Sequence, residues 1–128
     1  MFVRFVVTER HATSLQQRGV FSALYQLQRD DQLAGHEKAW FAEAETWFND
    51  HLEPPDRFQL SKRPGAPHAA ITWLKASAVE HVRRMRDLVA LLQHKDTQVE
   101  ELTTDRPGYI VYEDEHQVAA VPFAKDTF

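Results

Sequence analysis

The chain contains no cysteine and only 4 glycines among its 128 residues. The first shortage removes disulfide frameworks, thiol nucleophiles and thiolate metal sites together. The second leaves no Gly-x-Gly-x-x-Gly fingerprint and no phosphate loop, so dinucleotide and P-loop chemistry are not expected. No apolar run approaches the ~18 residues that a membrane span requires. The N-terminal stretch Met1-Phe2-Val3-Arg4-Phe5-Val6-Val7 is too short, and too interrupted by Arg4, to read as a signal-peptide core. A cytoplasmic chain without membrane contact is the expectation. Nucleophilic catalysis has no support either, since Ser14, Ser22, Ser61 and Ser77 all lack the Gly-x-Ser-x-Gly setting. His36-Glu37 is followed by Trp40 where a zinc-protease helix needs its second histidine.

What is present reads as one folded domain over residues 1–128. Apolar residues make up 43% and charged residues 27%, the balance of a chain that buries a core rather than one that stays disordered. The net charge of −4 is unevenly spread. Residues 1–55 sum to −3, residues 56–86 to +5 and residues 87–128 to −6, so a basic middle lies between acidic ends.

Periodicity predicts an α+β fold. Residues 2–7 form a β-branched and aromatic run of strand length. A first helix opens at Thr13-Ser14, with Ser14 and Gln17 at capping-box spacing, and carries Val20, Phe21, Leu24 and Leu27 on one face as far as Asp30-Asp31. A second, over 35–52, aligns Trp40, Phe41, Ala44, Trp47, Phe48 and Leu52 in a stripe that reads as core rather than as a ligand box. Glu53-Pro54-Pro55 stops it. A loop to residue 69 follows, longer than the ~12–15 residues beyond which unstructured connections tend to be functional. A third helix is predicted over 70–95, because Ile71, Leu74, Ala78, Val82, Met85, Val89 and Leu92 step by three and four. The last third changes period to strands over 99–103, 109–112 and 117–121, with a turn at Asp105-Arg106-Pro107-Gly108. The expected architecture is a single N-terminal strand, three helices and a three-stranded antiparallel meander. The first strand joins that meander, and the helices pack on one face of the resulting four-stranded sheet.

Two groups of residues could carry chemistry. Arg57, Lys62, Arg63 and His68 in the long loop, with Lys75 just beyond it, are candidates for binding an anion or a nucleic acid. Glu113, Asp114, Glu115 and His116 are candidates for a divalent metal, since carboxylates beside an imidazole suit Mg²⁺ or Mn²⁺. Each has a plainer explanation: a solvated basic surface in the first case, a polar hairpin tip in the second. Seven histidines are many for this length, but no two of them stand four apart on a helix. The patterned core without assembled active-site chemistry favours a non-catalytic protein-interaction or regulatory module without a cofactor. Its partner would be another protein or a second copy of itself, as in a homodimer. The alternatives are an anion- or nucleic-acid-binding domain and a metal-dependent hydrolase.

Overall fold

The computed structural model describes residues 1–8, 19–53 and 70–123. The N-terminal run forms strand β1 (Phe2–Thr8), and helices α1 (Val20–Arg29) and α2 (Gly35–His51) follow it. Strand β2 (Ile71–Lys75) leads into helix α3 (Val79–His94), and the chain continues as β3 (Gln98–Thr104), β4 (Tyr109–Glu113) and β5 (Gln117–Val121). The five strands make one antiparallel sheet in the order β3-β1-β2-β5-β4.

Three expectations are corrected here. The segment read as one helix over 70–95 is a strand, a turn and a helix. Ile71, Leu74 and Ala78 do step at helical intervals, yet Trp73 and Leu74 are adjacent and both buried. Adjacent burial means that β2 is covered on both faces, and short doubly buried strands cannot be told from helices by periodicity. The sheet consequently has five strands rather than four. The meander is also absent, because β3 pairs with β1 along its whole length while only β4 and β5 form a hairpin. Since β2 and β3 are both antiparallel to β1, they run parallel to each other. The α3 segment is the crossover that this arrangement requires.

Helix boundaries agree better. The second predicted helix ends one residue early, at His51, and the opening of the first at Ser14 lies outside the described residues. α1 and α3 each run out into an aspartate in the left-handed region, Asp31 (φ 56°) and Asp96 (φ 63°), a conformation that short polar side chains tolerate. The core gathers Val3, Phe5 and Val7 of β1 with Leu24 of α1, Phe41 and Phe48 of α2, and Leu88 and Leu92 of α3. Strand alternation sends Val6 and Trp73 to the other face, where both are fully buried with Val118 and Ala120.

The hairpin depends on Gly108. It has φ 131°, and a Cβ there would stand 2.1 Å from the carbonyl oxygen of Val121. Both the backbone conformation and the space exclude a larger residue. Gly108→Ala is therefore expected to destabilise the fold by about 2 kcal/mol or more, read as a lowered urea midpoint at unchanged m-value. An unchanged midpoint would contradict this packing of the hairpin.

Candidate functional site

The two groups of charges singled out in the sequence meet each other. Arg57, Lys62, Arg63 and His68 lie outside the described residues. Lys75, at the end of β2, forms an ion pair of 2.6 Å with Glu113 at the end of β4. The other described cations of the basic middle are also paired. Arg83 and Arg84 share Glu80, and Arg86 makes a two-pronged contact with Glu101 of β3 at 2.9 Å. Glu80 is held down at about 2 by the hydrogen bonds from Arg83 and Arg84.

The acidic hairpin divides its four residues among different tasks. Asp114 accepts hydrogen bonds from the Tyr112 hydroxyl (2.8 Å), from the backbone N–H groups of His116 (2.8 Å) and Gln117 (3.0 Å), and from the Gln117 amide (3.1 Å). Burial pushes its carboxyl up, but these donors together hold it below its ordinary value. Asp114 thus organises the turn. Glu115 is exposed, and His116 stacks on His81 with ring centroids 4.3 Å apart. Among the described residues, no three histidine, aspartate or glutamate side chains are grouped to hold a metal ion.

Tertiary structure does gather three histidines, around Trp47 of α2. His51, one helical turn on, stacks on the indole at 4.4 Å and donates from Nδ1 to the Trp47 carbonyl (2.7 Å). His81, near the start of α3, meets the indole edge-on at 4.8 Å and donates from Nε2 to the His51 carbonyl (2.9 Å). The Arg84 guanidinium lies 4.3 Å from the indole centroid, a cation–π contact. Gln117, fully buried, completes the junction by donating to the Glu53 carbonyl beyond α2 (3.1 Å). The end of α2, the start of α3 and the β4–β5 hairpin are joined here. The cluster ties the fold together rather than presenting a ligand set.

The concave feature lies elsewhere. β1 and β2 are in register only at Phe2–Lys75 and Val3–Leu74, after which their ladder stops. A cavity of about 640 Å³ lies beside the two strands, bounded by residues 3–5 of β1, residues 70–72 and Leu74 leading into and along β2, the first turn of α1, the end of α2, and Met85. Its walls are largely apolar, with Phe5, Phe21, Phe48 and Ile71 among them. The polar exceptions include Arg4 and a bridge from the Tyr25 hydroxyl of α1 to the Glu45 carboxylate of α2. That bridge pushes the Tyr25 phenol up to about 12, with partial burial adding to the effect.

No family model, curated protein or solved structure matches the chain. The site residues therefore have to be weighed on their own chemistry. Three of those missed in the sequence left a signal there. Arg4 is a lone charge inside a β-branched strand, and Trp47 and His51 stand four apart on α2. The approach of His81 to His116 left none, because it depends on strand order.

His81 makes acid sensitivity calculable in sign. Burial pushes its imidazole below 6.5, aided by the nearby His116 and His51, while the His51 carbonyl and Asp114 oppose the shift. A depressed histidine leaves stability intact above pH ~6.5, the unfolded value, and removes it as pH falls toward the folded value. The thermal midpoint should fall between pH 7 and pH 5, with a smaller drop in His81→Phe, which keeps a ring against Trp47. Equal slopes in the two proteins would show that another group controls the acid response.

Proposed function

We propose that this chain is a small, non-catalytic, cytoplasmic regulatory module whose effector is a small molecule taken into the cavity between β1 and β2. The carrying observation is the cavity itself. Its volume of about 640 Å³ falls within the ~300–1,000 Å³ of small-molecule sites, and its mainly apolar walls carry a few polar groups, as such sites do. The absence of catalysis is supported by the walls' chemistry. Among the described residues no histidine lines the cavity, and the Tyr25 proton is committed to Glu45, so the described walls hold no matched acid and base near neutral pH. The cysteine-free composition suits a reducing compartment. Because α1, α2 and both strands share the walls, an occupant would couple elements that β1 and β2 join only at one end.

The neutral dye N-phenyl-1-naphthylamine tests the reading directly. The native protein should enhance its fluorescence in a saturable, one-to-one manner. Met85→Trp, which extends a larger side chain from α3 toward the cavity, should weaken the dye at least ten-fold while leaving the circular dichroism spectrum unchanged. Non-saturable binding, or equal binding by both proteins, would remove the cavity from consideration.

One observation favours self-association as a second reading, in keeping with the expected protein partner. β4 is an edge strand, and Tyr109, Ile110 and Val111 on it are 50%, 47% and 37% exposed. Native edges are usually blunted by charge, as β3 is by Glu100 and Glu101. β4 begins next to Arg106 and ends in Glu113, so an antiparallel copy would set opposite charges against each other at both ends. A register shift between Ile110 and Tyr112 interrupts the strand and limits the length available for pairing. Sedimentation should show a concentration-dependent dimer that Ile110→Lys abolishes. A monomer at high micromolar concentration would eliminate this reading.

A further inference from the structure

We infer that the cavity selects an organic acid, a single carboxylate on an apolar body, with Arg4 as the group that recognises the charge. The inference rests on the ligand-binding reading and names the ligand class for it. Arg4 lies on β1 between Val3 and Phe5, whose side chains join the helical core. Alternation sends Arg4 to the opposite face of the sheet. The cavity nevertheless reaches all three, together with both Ile71 and Thr72 of β2, because the interrupted ladder leaves an opening between the strands.

The guanidinium is in an unusual position. Its Nη1 is buried without a hydrogen-bond partner, and among the described residues no carboxylate pairs with it. Burial lowers its pKa with no counter-charge opposing the shift. The described arginines of the basic middle each have an acid partner, and Arg29 and Arg106, which have none among the described residues, are exposed, so Arg4 differs in being partly buried without one. A partly buried cation without a counter-charge is less well solvated than an exposed one, and an anion arriving beside it is favoured. Arginine is suited to the task, since its planar fork matches a carboxylate in two parallel hydrogen bonds.

Two features of the walls narrow the class. The first turn of α1, Gly19 to Ser22, lines the same cavity, and the helix has no side-chain cap at Gly19. Its amides add a favourable field for one negative charge. Glu45 also belongs to the lining. Its carboxylate sets a limit on how much negative charge can enter, which favours a monoanionic carboxylate over a phosphate ester or a nucleotide. The remaining surface, with Phe5, Phe21, Phe48 and Leu52, calls for an apolar body behind the acid.

Calorimetry on the full chain with decanoate, 1-decanol and decyl phosphate separates the possibilities. Decanoate should bind at least ten-fold more tightly than decanol, and decyl phosphate more weakly than decanoate. Arg4→Met, which keeps the stem and removes the charge, should abolish the preference for acid over alcohol while leaving decanol affinity within two-fold. The same variant should melt at a higher temperature than the native protein without ligand, because the unpaired buried cation is gone. Equal binding of decanoate and decanol to the native protein would overturn the role of Arg4 but leave a ligand cavity standing. Tighter binding of decyl phosphate would overturn the choice of carboxylate. Failure of all three probes, with a dye that also does not bind, would remove the cavity reading and this inference together.

Discussion

The structure depends on the unequal way in which β1 is held by its two neighbours. With β3 it is in register along its full length, while with β2 it is in register only where it begins. A fully formed five-strand sheet would have closed the space between β1 and β2 with backbone hydrogen bonds. Ending the ladder early leaves a gap that the side chains of α1 and α2 roof but do not fill. The backbone groups along that gap have lost their sheet partners, and buried backbone polar groups require some partner. A cavity at this point is thus a property of the strand pairing itself, and it exposes both faces of the sheet to one space.

The same end of α2 also shows how the rest of the molecule tolerates such a gap. Trp47, His51, His81 and His116 interlock with Arg84 and Gln117 where α2, α3 and the β4–β5 hairpin converge. Apart from the Trp47–His51 stack within α2, these contacts join segments distant in the chain. Gln117 is fully buried, and its Nε2 donates to the Glu53 carbonyl and the Asp114 carboxylate while its Oε1 has no hydrogen-bond partner among the described residues. β2 and β5 are consequently fixed from the hairpin side even though β2 has little hold on β1. Rigidity on one side of β2 and a gap on the other is an arrangement that an occupant of the gap can influence.

Much of this was readable from residue order, and the failures have a common cause. Helix α2 was legible from its apolar stripe, and strands β1, β4 and β5 because each is a short β-branched or aromatic run bounded by polar residues or by a recognisable turn such as Pro107-Gly108. β2 was not, because burial on both faces erases alternation and leaves Ile71, Leu74 and Ala78 at helical spacing by coincidence. Losing β2 also lost the strand order, and with it the meeting of Lys75 with Glu113 and of His81 with His116. Asp114 illustrates the same limit from the other direction. Its neighbours in sequence suggested a metal site, whereas its hydrogen bonds show a turn built around one carboxylate. The cavity could not have been anticipated at all, since it arises from where a ladder stops and not from any residue.

Charge gives the sharpest contrast between sequence and structure. The basic middle looked like the place for an anion because it holds many cations in few residues. In the fold its described members each have an acid partner, Lys75 with Glu113, Arg83 with Glu80 and Asp87, Arg84 with Glu80, Arg86 with Glu101. Exposed pairs of this kind add little to stability, but they reduce the field these cations offer a polyanion. Arg4 sits in an acidic third of the chain and was read only as an interruption of a strand. It is partly buried with no acid partner among the described residues, so its field is less screened than that of an exposed, paired cation. For recognition, the number of charges in a segment matters less than whether any one of them is buried without a counter-charge.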